Sequence, residues 1–199
     1  MNKQNNHMTE NEEIHHLTFV EEFVPTNNND PVLIKLRPLF VSSFYQYYKT
    51  VESELNLSAG KSLLSWLEET FDEEADELIS RKCRCFVIYI SAPSSAIAGF
   101  LTVTDSKTEP NGIYISQFAI DPIFQRKGYG LLLLKHLTSV YPLATSFTCL
   151  CRRVNKPALN FYEKCGAKLI DDNLIATQYG YNPHFYLGLH LNSNQLRAQ

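Results

Sequence analysis

The chain of 199 residues, with 44% hydrophobic and 12% aromatic residues, is long enough for one well-filled domain and too short for two domains of ordinary size. Its formal net charge of −3 argues against general binding to nucleic acid. No apolar run reaches membrane-spanning length and the first residues are polar, so we expect a cytoplasmic protein without a spanning helix or a secretion signal.

The first thirty residues are polar. They are rich in asparagine, glutamate and histidine, and the turn signal Asn-Asn-Asn-Asp-Pro ends them at residues 27–31. We therefore divide the chain into an N-terminal extension over residues 1–30 and a single domain over residues 31–199. One interpretation of the extension is a flexible segment. The other interpretation is that apolar residues within 17–24 dock the extension on the domain or on a partner.

The domain is predicted to begin with a strand over residues 32–39, followed by two helices. Apolar residues recur at helical spacing over 41–55 and over 63–78. The tripeptide Gly-Lys-Ser at 60–62 resembles the end of a nucleotide-triphosphate loop, but the glycine needed five positions earlier is Leu55. This tripeptide is therefore interpreted as a turn before the second helix.

The second helix carries seven acidic residues beside its apolar stripe. A solvated helix face is the usual explanation, and attraction of a cationic substrate is the alternative. These residues are Glu68, Glu69, Asp72, Glu73, Glu74, Asp76 and Glu77.

Three strands are predicted in the middle of the chain, over residues 83–90 and 96–104 with a turn at 93–95, and over 113–120 after an Asn-Gly turn. Two late strands are predicted over 167–175 and 185–191. Because strands and helices do not alternate strictly, we predict an α+β, three-layer fold in which a mixed, mostly antiparallel sheet is flanked by helices.

The five cysteines form two Cys-x-Cys pairs and one single residue. Residues i and i+2 of a strand point to the same side, so each pair is interpreted as reduced thiols on one strand face. Structural zinc usually needs wider ligand spacing, and an odd number of cysteines argues against a disulfide framework, so no metal is predicted. The cysteines are Cys83, Cys85, Cys149, Cys151 and Cys165.

A glycine-containing loop, Gln-Arg-Lys-Gly-Tyr-Gly at 125–130, lies between a strand and a leucine-rich helix over 131–140. The glycines let consecutive backbone N–H groups turn toward one point, and the first turn of the helix adds unpaired donors. The loop is therefore predicted to bind a phosphate-like anion. A dinucleotide fingerprint is not formed, because the position of its third glycine is Leu133.

A short capped helix is predicted about thirty residues later, after a strand over 145–154. Asn155 is a good N-cap, Pro157 is tolerated in the first turn, and Gly166 suits a left-handed C-cap. Tyr162 lies two turns from Asn155 near the same face, and the Asn155 amide can hydrogen-bond another amide. The alternative is an ordinary capped helix with a core tyrosine.

The two motifs together resemble a known signature. Gln/Arg-x-x-Gly-x-Gly at 125–130, then a strand, then Asn-x-x-Ala-x-x-x-Tyr-x-x-x-Gly at 155–166, is similar to the signature of the GCN5-related N-acetyltransferase (GNAT) superfamily. The resemblance covers residues 112–167 with both motifs in order and extends more loosely over 33–191. It implies a GNAT-like sheet of about seven strands, splayed between the fourth and fifth strands, in an N-acetyltransferase with acetyl-CoA as co-substrate.

The resemblance also implies how acetyl-CoA would be held. Backbone groups of residues 118–120 would pair with the pantetheine amides, backbone N–H groups of 126–131 would hold the pyrophosphate, and Asn155 would contact the pantetheine. Tyr162 would be the general acid that protonates the departing thiolate. The implied cofactor-binding residues are Phe118, Ala119, Ile120, Gln125, Arg126, Lys127, Gly128, Tyr129, Gly130, Leu131, Asn155 and Ala158.

The base that takes the proton of the acceptor amine is not identified by the sequence. Residues 114–117, before the implied splay, contain no carboxylate. A water relay, Asp105, Glu109 or His184 could supply the base. The implied acceptor is a primary amine of a small molecule, such as a polyamine or an amino-sugar, or of a peptide.

Two other functions remain open from the sequence. The chain could be a non-catalytic acyl-CoA sensor, although Tyr162 is present, or an interaction protein that retains the scaffold. We expect no nucleic-acid or membrane partner. We expect a monomer or a homodimer, and an edge strand over 185–191 could support the dimer.

Overall fold

The computed structural model describes residues 17–91 and 96–198, which form one sheet with helices on both faces. The strands are β1 (Leu17–Phe23), β2 (Arg84–Ser91), β3 (Ala96–Asp105), β4 (Gly112–Ile120), β5 (Ser146–Arg152), β6 (Lys168–Leu169) and β7 (Tyr186–Asn192). The helices are α1 (Pro31–Thr50), α2 (Leu63–Ile79), α3 (Tyr129–Val140), α4 (Lys156–Lys164), α5 (Asp172–Gln178) and α6 (Ser193–Ala198). One-turn 3-10 helices lie at Glu52–Glu54 and Pro122–Phe124. Within these described residues, no helix combines the length and the apolar character needed to cross a bilayer.

The seven strands lie in the order β1-β2-β3-β4-β5-β7-β6. Neighbours are antiparallel except β4 and β5, which are parallel and pair only from Gly112–Ser146 to Ile115–Cys149. Residues 116–120 of β4 continue beyond this pairing, so the sheet opens into a gap that we call the splay. The predicted mixed, mostly antiparallel sheet of about seven strands, splayed between the fourth and fifth strands, is confirmed.

Each face of the sheet is covered by its own hydrophobic core. In β2, Phe86 and Ile88 pack on the α3 side, whereas Cys85 and Val87 pack on the α1 and α2 side, as alternation along a strand requires. The five cysteines are buried thiols, and each Cys-x-Cys pair lies within a single core. The predicted placement on one strand face is confirmed for Cys149 and Cys151 of β5, whereas Cys83 lies just before β2 and packs in the same core as Cys85.

Residues 32–39 are helical, so the strand predicted there is wrong. They form the first half of α1, which has a proline in its first turn and Asp30 as its cap; Asp30 accepts a hydrogen bond from Val32 N at 3.0 Å. Leu33 and Leu36 are buried at helical spacing in the core shared with α2. A short apolar run fits either structure, and here the cap and the proline favour the helix.

The first strand of the sheet is instead β1, which lies in the segment predicted as an N-terminal extension. It pairs with β2 from Leu17–Ser91 to Phe23–Cys85. The Glu22 carboxylate accepts hydrogen bonds from Arg84 Nε and Nη2, both at 2.7 Å. Residues 17–23 therefore dock on the domain. Residues 1–16 and the turn predicted at 93–95 lie outside the described residues.

The late part of the chain departs from the prediction in two ways. Of the strand predicted over residues 167–175, only the two residues of β6 pair, and α5 follows because Asp171 caps it and Ile175 buries its side chain completely. The predicted strand over 185–191 is confirmed as β7. However, β7 pairs with β5 on one side and β6 on the other, so it is not the predicted edge strand. In the described sheet, the two edges are β1 and β6.

Candidate active site

Two cavities adjoin at the splay. The first, of about 440 Å³, lies between the end of β4, the start of α3, α4 and α1, and we call it the α3 cavity. The second, of about 320 Å³, lies between α2, the middle of β4 and the end of β5, and we call it the α2 cavity. The residues that line both are Phe44, Tyr48, Phe118, Asn155, Ala158 and Tyr162.

The α3 cavity gathers the residues that the two sequence motifs singled out. Among the predicted site residues, Lys127 is the exception, because it does not line the cavity and its ammonium lies 5.4 Å from the centre of the Phe124 ring. The predicted residues that do line it are Phe118, Ala119, Ile120, Gln125, Arg126, Gly128, Tyr129, Gly130, Leu131, Asn155, Ala158 and Tyr162. Sequence analysis missed the contribution of α1, namely Ser43, Phe44, Tyr47 and Tyr48.

The loop before α3 has an irregular backbone with free donors. Arg126 and Gly128 have positive φ values of 65° and 87°, and residues of this kind can bring successive N–H groups to one side of a loop. The hydrogen bonds of the described residues leave the backbone N–H groups of 126–131 without an acceptor. Gly130 serves packing instead, because a Cβ there would lie 3.1 Å from Phe161 Cε2 of α4.

The end of β4 offers alternate backbone groups to the splay. The backbone N–H of the residue after Ile120 donates a hydrogen bond to β3 at 2.9 Å. Because backbone groups of successive strand residues face opposite sides, those of Ala119 also face β3, and those of Phe118 and Ile120 face the splay. Ile120 O already accepts hydrogen bonds from Ser43 Oγ at 2.9 Å and Gln125 Nε2 at 3.0 Å. The three residues of this stretch therefore differ in the backbone hydrogen-bonding groups that they offer to a ligand in the splay.

Helix α4 begins and ends as predicted. Asn155 Oδ1 accepts a hydrogen bond from Ala158 N at 3.2 Å, and Gly166, at φ 82°, ends the helix. The next N–H donates back to Tyr162 O at 3.0 Å, as in a Schellman motif. Asn155 Nδ2 donates to Tyr48 Oη at 3.2 Å, so the buried Asn155 amide is held at both ends and keeps one N–H for a ligand.

Tyr162 lies in the wall shared by the two cavities and is 6% exposed. Burial, followed by the nearby Cys149 sulfur with which it hydrogen-bonds, raises the pKa of the Tyr162 phenol well above its ordinary value. Burial also raises the pKa of the Cys149 thiol to about 12. The phenol is therefore protonated at neutral pH, and thiols in this environment hold their protons strongly.

Comparison with known proteins assigns the chain to a family. The sequence model of the acetyltransferase (GNAT) family matches residues 43–167, which are 125 of the 199 residues. This chain belongs to the GNAT family. The resemblance carried by the two motifs is confirmed.

Solved structures share the GNAT fold at low sequence identity. A putative acetyltransferase of the GNAT family from Desulfovibrio desulfuricans is 15% identical, with a TM-score of 0.60 over 89% of this chain and 99% of that one. The PaiA N-acetyltransferase from Thermoplasma acidophilum, solved with coenzyme A, is 16% identical, with a TM-score of 0.61 over 87% and 99%. A Bacillus subtilis acetyltransferase, also solved with CoA, is 16% identical, with a TM-score of 0.51 over 88% and 99%. No curated protein sequence matches the chain significantly.

The α2 cavity of this GNAT domain is lined largely by aromatic rings. The Arg152 guanidinium lies 4.6 Å from the centre of the Trp66 ring and 4.9 Å from that of Tyr186, and its Nη1 donates to Leu55 O at 2.6 Å. Glu73 is the carboxylate in the wall. The aromatic residues of the wall are Phe40, Phe44, Tyr48, Trp66, Tyr114, Phe118, Tyr162, Tyr181 and Tyr186.

The three side chains considered as a base do not line the α2 cavity. Asp105 is exposed at the end of β3. Glu109 accepts a hydrogen bond from Ser146 and lies 3.6 Å from His190 Nε2. His184 lines a separate cavity at the end of β5. In the described part of the chain, an amine in the α2 cavity would therefore meet none of the three.

The carboxylate that sequence analysis missed is Glu74. The other six acidic residues of α2 are exposed, whereas Glu74 is 6% exposed. It lies three residues after Phe71 and four before Leu78, within the buried stripe, and this spacing is the signal that distinguishes it. Burial raises the pKa of the Glu74 carboxyl, and hydrogen bonds from Thr102 and Ser116 oppose that shift.

Ser116 connects Glu74 to the α2 cavity. Between the pairs Val103–Ile115 and Thr102–Gln117, β4 holds one residue more than β3, and this bulged residue is Ser116. Its hydroxyl donates to Glu74 Oε1 at 2.8 Å and lies 2.8 Å from the Thr102 hydroxyl. Ser116 also lines the α2 cavity, so a buried carboxylate lies one hydroxyl away from that space.

Proposed function

We propose that this GNAT chain transfers an acetyl group from acetyl-CoA directly to a primary amine, with Tyr162 as the general acid. The observation that supports this most is the position of Tyr162 in the wall shared by the two cavities. On one side lies a loop with unpaired backbone donors, and on the other an aromatic cavity that contains Glu73. The α3 cavity would hold the arm of acetyl-CoA, and the α2 cavity would hold the amine of a small molecule or peptide.

The residues of the α3 cavity fit the chemistry of acetyl-CoA. Unpaired backbone N–H groups at 126–131, with the Arg126 side chain beside them, suit a pyrophosphate. Backbone groups of Phe118, the N–H of Ile120 and the remaining N–H of Asn155 would pair with the pantetheine amides, as in the addition of a strand to a sheet edge. Lys127 lies outside the wall and would add positive charge at longer range.

The proposed reaction breaks one bond and forms one. The amine nitrogen attacks the thioester carbonyl carbon, the C–S bond breaks, and the sulfur takes the proton of the Tyr162 phenol. With reference pKa values of about 10 for a phenol and about 8.5 for a thiol, this transfer would be uphill in water. Burial raises the pKa of the Tyr162 phenol and also that of a neighbouring thiol, to about 12 for Cys149, so acidity alone does not favour the transfer. The position of the Tyr162 phenol relative to the sulfur therefore matters more than the acidity of the phenol.

The substitution Tyr162→Phe tests the general acid. We expect turnover to fall by about 10²–10⁴-fold, the usual contribution of proton transfer, with little change in the acetyl-CoA dissociation constant measured by calorimetry. Tyr45→Phe is the matched control, because Tyr45 lines neither cavity. Full turnover in Tyr162→Phe would reject the assignment.

Gly128→Ala tests the loop, with Gly60→Ala as its control. Both glycines have positive φ, 87° and 80°, and no atom lies within 4 Å of an added Cβ, so both substitutions should cost a similar strain of about 1–2 kcal/mol. We expect only Gly128→Ala to weaken acetyl-CoA binding. A folded native protein that binds no acetyl-CoA would refute the proposed function, and binding without transfer to any amine would favour an acyl-CoA sensor.

A further inference from the structure

We infer that Glu74, acting through the Ser116 hydroxyl, receives the proton that the acceptor amine loses. This inference rests on the proposed acetyl transfer and supplies the base for it. Ser116 faces the cavity and would touch the amine, so it would be the catalytic residue. Glu74 lies behind it and would be the positioning residue.

The hydrogen bonds around Ser116 leave it one acceptor position for a ligand. Its O–H donates to Glu74 Oε1 at 2.8 Å. The Thr102 hydroxyl accepts from Gln117 N at 3.0 Å and lies 2.8 Å from Ser116 Oγ, and it can give its single hydrogen either to that oxygen or to the Glu74 carboxylate. A serine oxygen that gives one hydrogen bond and receives at most one still has a lone pair, and here that lone pair is available to an N–H in the α2 cavity.

The position of Ser116 suits this role. It is the bulged residue of β4, and it comes directly after the last residue that pairs with β5, where the splay begins. The bulge gives Ser116 contacts with β3 and α2 while it lines the cavity. Phe118, two residues later, lies in the wall common to both cavities, so the amine and the thioester would meet close to Ser116.

The proton transfers balance over one turnover. As the amine nitrogen bonds to the carbonyl carbon, its proton moves to Ser116 Oγ, and the Ser116 proton moves to the Glu74 carboxylate. The C–S bond breaks, and the sulfur takes the Tyr162 proton. One proton is thus gained at Glu74 and one lost at Tyr162, and exchange with water after product release restores both groups.

Glu73 also lines the α2 cavity but is the weaker candidate. It is exposed, and among the described residues it makes no hydrogen bond to β4. Glu74 is buried and connected to β4 by a 2.8 Å hydrogen bond. A base acts best when its pKa lies near the working pH, and burial moves the Glu74 pKa upward, in that direction.

The surroundings of Glu74 determine how its titration would appear in activity. Cys83 Sγ lies 3.7 Å from Glu74 Oε1, and burial keeps the neighbouring thiols and phenols protonated through neutral pH. Glu77 is the neighbouring group with like charge, and it raises the Glu74 pKa. The titratable groups around Glu74 are Glu77, Cys83, Cys85, Tyr114 and Tyr181.

The test is a comparison of pH–rate profiles with acetyl-CoA and a panel of spermidine, glucosamine and a lysine-containing peptide. For Glu74→Gln and Ser116→Ala we expect kcat to fall about 10²-fold or more, with loss of the acid limb that titration of Glu74 imposes. The double variant should be no slower than either single variant, because the two groups act as one unit. Ser116→Thr retains the hydroxyl and should restore activity. Glu77→Gln should keep maximal turnover and move the acid limb to lower pH.

The outcomes separate this inference from the proposed function. If the native enzyme acetylates an amine and Glu74→Gln retains its kcat and acid limb, the relay is overturned and acetyl transfer stands. An equal loss of kcat at every pH, with no effect of Ser116→Ala, would assign Glu74 a structural role and also overturn the relay. If the native protein acetylates no amine in the panel, both proposals fail together.

Discussion

Removal of the Asn155 side chain should destabilise the protein through two separate losses. Asn155→Ala removes the N-cap of α4, which costs about 1 kcal/mol. It also leaves the Tyr48 hydroxyl, on a residue that is 5% exposed, without its amide partner, which costs about 1–3 kcal/mol. The free energy of unfolding should therefore fall by about 2–4 kcal/mol.

Two variants separate the losses. Asn155→Ser keeps a capping hydroxyl but is too short to reach Tyr48, so it should lose only the second contribution. Tyr48→Phe in the Asn155→Ala background removes the unsatisfied hydroxyl, so the double variant should be more stable than Asn155→Ala alone. Urea unfolding followed by the fluorescence of Trp66, the single tryptophan of the chain, measures the native protein, the two Asn155 variants, Tyr48→Phe and the double variant. If Tyr48→Phe lowers stability equally in both backgrounds, Asn155 and Tyr48 are not coupled and the reasoning is refuted.

Two further predictions concern α5 and α2. Ile175→Ala should lower the free energy of unfolding by about 2–5 kcal/mol, because Ile175 is fully buried. Leu174→Ala, at a residue that is 38% exposed, should lower it much less. Equal effects of the two substitutions in thermal unfolding would contradict the placement of α5. Burial raises the Glu74 pKa above its unfolded value, so the contribution of Glu74 to native stability is fully present below the unfolded pKa and is lost as the pH rises through the folded pKa. Glu74→Gln should make this decline shallower, and identical pH dependence in both proteins would contradict it.

Local motifs predicted the backbone of the loop before α3 and the caps of α4 well. The loop before α3 and the caps of α4 depend on residues close in sequence, such as Gly128, Asn155 and Gly166, whose backbone preferences act without distant partners. The apolar run at 32–39 was harder, because it fits a strand or a helix. Its helical form depends on the Asp30 cap and on packing against α2, which only the folded chain supplies.

Tertiary structure decided what the sequence left unresolved. β1 is a strand because β2 pairs with it from more than sixty positions away, as the contact between Glu22 and Arg84 shows. Glu74 has six acidic neighbours on the same helix, and only the way α2 packs on the sheet makes it the buried one. The link from Glu74 to Ser116 spans 42 positions, which local spacing does not reveal.

The distribution of the cysteines gives the protein a built-in chemical reporter of its own unfolding. All five are buried thiols, so a thiol reagent can reach them only when the structure opens. Cys83 and Cys85 belong to the core under α1 and α2, and Cys149, Cys151 and Cys165 belong to the core under α3. The order in which mass spectrometry detects labelled cysteines would therefore show which side of the sheet loosens first, without any introduced probe.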